Sequence, residues 1–127
     1  MRSARYKTVR IELRKNNTVY AIPELDDLYN ADDLLAILGF MKEVANGERF
    51  RVLMLLGKTE FLMTKEARDL FKTDPTAKEL IIAEAIVINS RSSRILYNLL
   101  TKIYAPPFPF KAFKHEKAAN EWQNSIN

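Results

Sequence analysis

Six consecutive residues, Asn89-Ser90-Arg91-Ser92-Ser93-Arg94, bring one amide, three hydroxyls and two guanidinium groups into a short stretch. They follow an apolar run at 82–88 and open a helical pattern that begins at Arg91. In an open α/β sheet, a strand-to-helix corner of this kind turns backbone N–H groups toward the carboxyl ends of the strands, where anions and phosphates bind. All six residues are therefore candidates for an anion or docking site. A simpler role competes with it: Ser90 as N-cap, Ser92 and Ser93 in the first turn, and both arginines in solvent. Cations at the positive end of a helix do not help the helix, which hints at a use beyond capping. Thr64 joins the candidates as a hydroxyl at the head of an earlier helix, where capping alone also accounts for it.

A second group is aromatic. Tyr97, Tyr104, Phe108 and Phe110 surround the turn Pro106-Pro107-Phe108-Pro109. Phe110 and Phe113 cannot both face one side of a regular strand. The group therefore divides between core packing and the border of a pocket, a partner or a lipid surface.

The inventory for catalysis is thin. The chain has no cysteine, which removes thiol nucleophiles and Cys-ligated zinc, and its one histidine, His115, sits among Lys114, Glu116 and Lys117. No H-E-x-x-H, Walker A or G-x-G-x-x-G pattern occurs, and the only glycines are Gly39, Gly47 and Gly57. The expectation is a protein without catalytic residues, metal or cofactor.

The elements that hold these groups follow from periodicity. Val9, Ile11 and Leu13 alternate with Arg10, Glu12 and Arg14, and Asn16-Asn17 turns the chain into a second short strand at 19–22, which predicts a hairpin. Residues 1–6 read as a loose basic tail. Leu34, Leu35, Ile37, Leu38, Met41, Val44 and Ala45 make a helical stripe that stops at Asn46-Gly47. The runs at 50–56 and 82–88 read as adjacent, parallel central strands covered on both faces. Ala67, Leu70 and Phe71 mark the helix begun at Thr64, and Pro75 opens a shorter one. Ile95, Leu96, Leu99, Leu100 and Ile103 are spaced to pack a helix on the sheet, and Pro106-Pro107 ends it. A short strand at 110–113 and a helix with Ala118, Ala119, Trp122 and Ile126 on its inner side complete the chain. Helices between successive strands predict a mostly parallel sheet with right-handed crossovers.

At 127 residues the chain is expected to be one domain, 1–127. The absence of cysteine and of an N-terminal apolar run points to the cytoplasm. The net charge of +4 is unevenly placed, with Arg2, Arg5, Lys7, Arg10, Arg14 and Lys15 ahead of Glu24, Asp26, Asp27, Asp32 and Asp33. That is not the sustained basic stripe of a nucleic-acid binder, and no such partner is expected. No apolar run approaches the roughly 20 residues of a membrane-spanning helix.

The pattern Ala83-Glu84-Ala85-Ile86-Val87-Ile88-Asn89-Ser90, the helix from Arg91, the segment Ala105-Pro106-Pro107-Phe108-Pro109-Phe110-Lys111-Ala112-Phe113 and the closing helix with Trp122 resemble the SpoIIAA-like, STAS-related proteins of bacteria. The resemblance implies an α/β fold with a mostly parallel four- to five-stranded sheet flanked by helices, here with an N-terminal hairpin. Relatives of this fold include partner-switching regulators, cytosolic domains of anion transporters and lipid-carrying domains, so the fold implies no one activity. In partner-switching members a phosphorylatable Ser or Thr follows an Asp. Here Thr64 holds the matching place and Met63 stands where the Asp would be. The leading expectation is a non-catalytic regulatory module that docks a protein partner. The alternative is a carrier or sensor of a small apolar or anionic ligand, with peripheral membrane contact. A docking module should be tightly packed, whereas a carrier should contain an apolar cavity with a few convergent polar groups.

Overall fold

The computed structural model describes residues 2–104 and 106–126, apart from the side chains of residues 100, 101, 103 and 104. The expected hairpin forms from β2 (Val9–Arg14) and β3 (Thr18–Pro23), paired antiparallel. Its turn puts Asn16 and Asn17 at φ +60° and +50°, a left-handed conformation that asparagine tolerates. The basic segment read as a loose tail is instead ordered in part as β1 (Ser3–Tyr6), antiparallel to β2. Opposite charge holds it there. Arg5 pairs with Glu24, Lys7 Nζ lies 2.9 Å from Asp33, and the Tyr6 hydroxyl donates to Asp33 at 2.6 Å. The basic and acidic clusters of the sequence thus meet each other.

After β3 the chain forms β4 (Asp27–Tyr29), α1 (Ala31–Val44), β5 (Phe50–Gly57), β6 (Phe61–Met63), α2 (Lys65–Thr73), α3 (Pro75–Leu80), β7 (Ile81–Ile88), α4 (Arg91–Tyr104), β8 (Phe110–Phe113) and α5 (Glu116–Asn124). The main sheet has six strands in the order β1-β2-β3-β5-β7-β8, one or two more than expected. Beyond the hairpin pair and the three later strands already expected, the addition is the β1 edge. The strands β3, β5, β7 and β8 are mutually parallel, and β5 and β7 are neighbours as expected. A separate parallel pair, β4 and β6, was not legible in the sequence.

Right-handed crossovers that all advance in one direction put their helices on the same face of the sheet. Accordingly α1 to α4 crowd one side, and α5, which follows the last strand, covers the other. On the thin side Tyr20, Leu53, Ala85 and Val87 meet Ala119 and Trp122. On the thick side α1 buries Leu34, Ile37, Leu38, Met41 and Val44. Its start is fixed by a capping box, in which Asn30 and Asp33 each accept the other's backbone N–H.

The helix α4 departs from its expected orientation. Of the five residues assigned to the inner face, Ile95, Leu96 and Leu99 are 60%, 53% and 53% exposed, and the side chains of Leu100 and Ile103 lie outside the described residues. Residues with polar tips hold the contacts instead, because each finds a backbone partner. Asn98 accepts from Ala112 N at 2.9 Å, the Tyr97 hydroxyl donates to Phe61 O at 3.1 Å, and Arg94 donates to Ile88 O and Asn89 O at 2.8 Å.

The β5–β7 ladder carries one consequential irregularity. Phe50 pairs with Ile81 but Val52 pairs with Glu84, so β7 has an extra residue at Ile82-Ala83. A bulge of this kind breaks the alternation of a strand. It allows Ile81 and Glu84, three residues apart, to face the same side. The fully buried Gln123 on α5 serves the bulge, its Nε2 donating to Val52 O at 2.7 Å and to Ala83 O at 3.4 Å. Arg51 in turn donates to Gln123 O and Ile126 O at 3.0 and 2.7 Å, clamping the C-terminal segment. Gln123→Leu keeps the side chain's approximate size and strands two buried carbonyls. It should cost about 1–3 kcal/mol in chemical denaturation, whereas a solvated bulge would leave the midpoint unchanged.

Candidate functional site

Between the sheet and the helices of the thick side lies a cavity of about 300 Å³. Its walls come from three of the helices on that side and from strands of both sheets. Leu34, Ile37, Leu38 and Met41 contribute from α1, Met54 from β5, and Ile86 and Ile88 from β7. Phe61, Leu62 and Met63 of β6 and Leu96 and Tyr97 of α4 close it from above, with Phe71 of α2 and Phe110 of β8 at the sides. The pair β4–β6 positions this roof. Tyr29 of β4 stacks on Phe61 with centroids 4.4 Å apart, and Thr64 N donates to Tyr29 O at 3.0 Å. Leu62 and Leu96 both line the cavity and are 51% and 53% exposed, so the rim is apolar and open to solvent.

Four charged residues also line it: Glu60, Arg68, Lys72 and Glu84. Arg68 is anchored through Nη1 to Met63 O at 2.7 Å. Glu84 differs from the others because it sits on a central strand and is only 7% exposed. Its backbone is fully engaged in the sheet, with its N–H donating to Pro109 O at 2.9 Å. Among the described residues no hydrogen bond or ion pair reaches its carboxyl group. Burial alone pushes its pKa up to about 8, so at neutral pH it is largely an uncharged acid. Tyr97 is raised as well, chiefly by burial and then by the carboxyl groups of Glu84 and Glu60.

The sequence candidates divide around this cavity. Tyr97, Phe110 and Ser93 line it. Phe108 is buried and packs edge-on to Phe71 at 5.5 Å, a core contact. The side chain of Tyr104 lies outside the described residues. Phe110 and Phe113 face opposite sides, Phe113 meeting Trp122 at 5.6 Å. Thr64 Oγ1 accepts from Ala67 N at 3.2 Å and Ser90 Oγ from Ser93 N at 3.2 Å, so both cap their helices. Ser92 Oγ lies 3.0 Å from Ser90 Oγ. Arg94, a candidate for the anion or docking site with solvation as the competing reading, satisfies the carbonyls at the end of β7, while Asn89, Arg91 and Ser92 are exposed. His115 stands at the N-cap of α5 without a capping hydrogen bond from its side chain.

The residue that sequence reasoning missed is Glu84. A single charge inside Ile81-Ile82-Ala83-Glu84-Ala85-Ile86-Val87-Ile88 was a visible signal, but the run was read as apolar on each face. Among the described residues no cluster of three His, Cys, Asp or Glu could hold a metal ion, and no helix is long and apolar enough to cross a membrane.

Glu84 ties stability to pH. Its carboxyl group is raised from 4.5 to about 8 on folding, so the folded chain keeps a proton that the unfolded chain releases. Stability from this residue is full at pH values below about 4.5, declines as pH rises, and levels off above about pH 8. Glu84→Gln, which mimics the neutral acid, should abolish that decline. The variant's advantage over wild type should then grow by on the order of 1.4 kcal/mol per pH unit across the window. A difference independent of pH would mean that the carboxyl group is solvated or paired.

Comparison with known proteins agrees with the resemblance drawn from the C-terminal half. Among solved structures, the chain is similar to the crystal structure of an uncharacterized protein of the DUF3478 family with a SpoIIAA-like fold from Shewanella loihica PV-4. The TM-score is 0.58 at 15% identity, and the alignment covers 90% of each chain. At that identity the likeness establishes the fold alone, which is SpoIIAA-like. No curated protein matches the chain. The family model described as a domain of unknown function, DUF7793, matches residues 10–127, from the first hairpin strand through α5, and the chain belongs to that family.

Proposed function

We propose that this chain is a non-catalytic binding domain that carries or senses a small, largely apolar molecule in the cavity beneath β6 and α4. The observation that supports this reading is the cavity itself. Its volume of about 300 Å³ lies at the lower end of the range of small-molecule sites, and its walls are mostly aliphatic and aromatic with a few charged groups. A tightly packed docking module would not keep such a space, because an empty apolar cavity costs stability in proportion to its volume.

A docking role for a protein partner is a second reading, favoured by the exposed Ile95, Leu96 and Leu99 on α4. The two readings separate experimentally. Native mass spectrometry of freshly purified protein should find a co-purifying small molecule. Ile86→Trp, which fills the cavity from β7, should abolish that adduct while the protein stays folded. Ile95→Ser with Leu99→Ser leaves the cavity lining untouched, so the adduct should persist. An adduct insensitive to Ile86→Trp would count against the cavity, and a partner lost only with the α4 double variant would favour docking.

A further inference from the structure

Resting on the small-molecule reading, the chemistry of the lining narrows the ligand. A carboxyl group more than nine-tenths buried, unbonded by any described residue and aimed into an apolar cavity is costly to keep. A ligand bearing its complement offsets that cost. The aromatic rings of Phe61, Phe71, Tyr97 and Phe110 line the same space, and aromatic faces attract cations. We infer that the cavity selects a small apolar amine, whose ammonium group lies against Glu84 and whose hydrocarbon body fills the space between α1, β6 and the sheet.

The alternatives are weaker on the same observations. A hydroxyl would gain one neutral hydrogen bond from Glu84, and charge-assisted bonds are roughly twice as strong. A carboxylate ligand would either face an ionised Glu84 or share its proton. The other titratable or charged side chains facing this space are Glu60 ahead of β6, Arg68 and Lys72 on α2, and Tyr97 on α4; α1, β5 and the described part of the β8 approach contribute none. Arg68 and Lys72 add positive charge near the outer wall. Among the described residues neither forms an ion pair with Glu84, whose shifted pKa has burial and no neighbouring cation as its cause, so neither substitutes for a cation there.

Binding of an ammonium ion requires Glu84 to lose its proton, so its pH dependence has a definite sign. From its free-acid state, Glu84 releases one proton per amine bound, and affinity should rise with pH until Glu84 is ionised near pH 8. A neutral ligand that accepts from the protonated acid should show the opposite trend.

The test is isothermal titration of the whole chain with n-octylamine, octan-1-ol and octanoate, which share a tail and differ in the head group. Wild type and Glu84→Gln are compared at about pH 6, 7.5 and 9, with thermal denaturation confirming that the variant is folded. On wild type, octylamine should bind best and should weaken about tenfold per pH unit below the ionisation of Glu84. Glu84→Gln should keep octan-1-ol binding and lose the preference for the amine. If wild type binds the alcohol or octanoate as well as the amine at every pH, or if the Gln variant keeps the preference, the amine assignment is overturned while the small-molecule reading stands. If none of the three binds, both fall.

Discussion

The pair of parallel strands β5 and β7 must be covered on both faces, and the rest of the molecule is arranged around that requirement. Residues such as Val52, Leu53, Ala83 and Ala85 are fully buried, so neither face can meet water. Successive right-handed crossovers supply cover to only one face. The other face depends entirely on α5, the last element, held there by Tyr20 with Glu116 and by Arg51 on the carbonyls that follow. The hydrogen bonds of Gln123 are therefore more than a local repair. They fasten the covering helix to carbonyls of the central ladder at the bulge.

The same asymmetry produces the cavity. Four helices and a two-stranded roof converge on one face, and α4 is set by Arg94, Tyr97 and Asn98, whose partners are backbone groups at fixed places. A helix positioned by three directional contacts does not slide to fill space as one positioned by leucines would. Ile95 and Leu99 are left on the outer side and Leu96 at the cavity rim, and a volume is left beneath the helix. The bulge in β7 then brings Glu84 into that volume. Strict alternation from Ile81 would have turned position 84 toward α5, where a carboxyl group would meet the tightly packed Leu53 and Ala119.

Glu84 is thus a local conflict with the otherwise consistent apolar pattern of its strand. Such conflicts lower stability and tend to occur where a protein has another use for the residue. An acid kept neutral by burial can donate a hydrogen bond, or yield its proton when a cation arrives. Neither behaviour is available to the exposed Glu24, whose carboxyl group is held below the usual carboxylate range by its hydrogen bond from Arg5. At the polar corner at the end of β7, Ser90 caps α4 and Arg94 closes the strand, while Asn89, Arg91 and Ser92 stay exposed.

Period and punctuation in the sequence determined the α/β class, the N-terminal hairpin, the parallel neighbours β5 and β7, and the caps at Thr64 and Ser90, because each depends on contacts within a few residues or on burial of both strand faces. The C-terminal motifs determined the resemblance to SpoIIAA-like proteins. The sequence could not show that residues 3–6 form a strand, since that rests on Glu24 and Asp33 arriving beside Arg5 and Lys7 from across the fold. Nor could it show the rotation of α4, because the exposed Ile95 and Leu99 have the spacing of a buried stripe and only the backbone partners of Tyr97 and Asn98 decide which face turns inward. The cavity and its acid belong wholly to the tertiary structure. A bulge of one residue, invisible to periodicity, aims Glu84, and an empty volume is a property of how elements pack rather than of any residue that lines it.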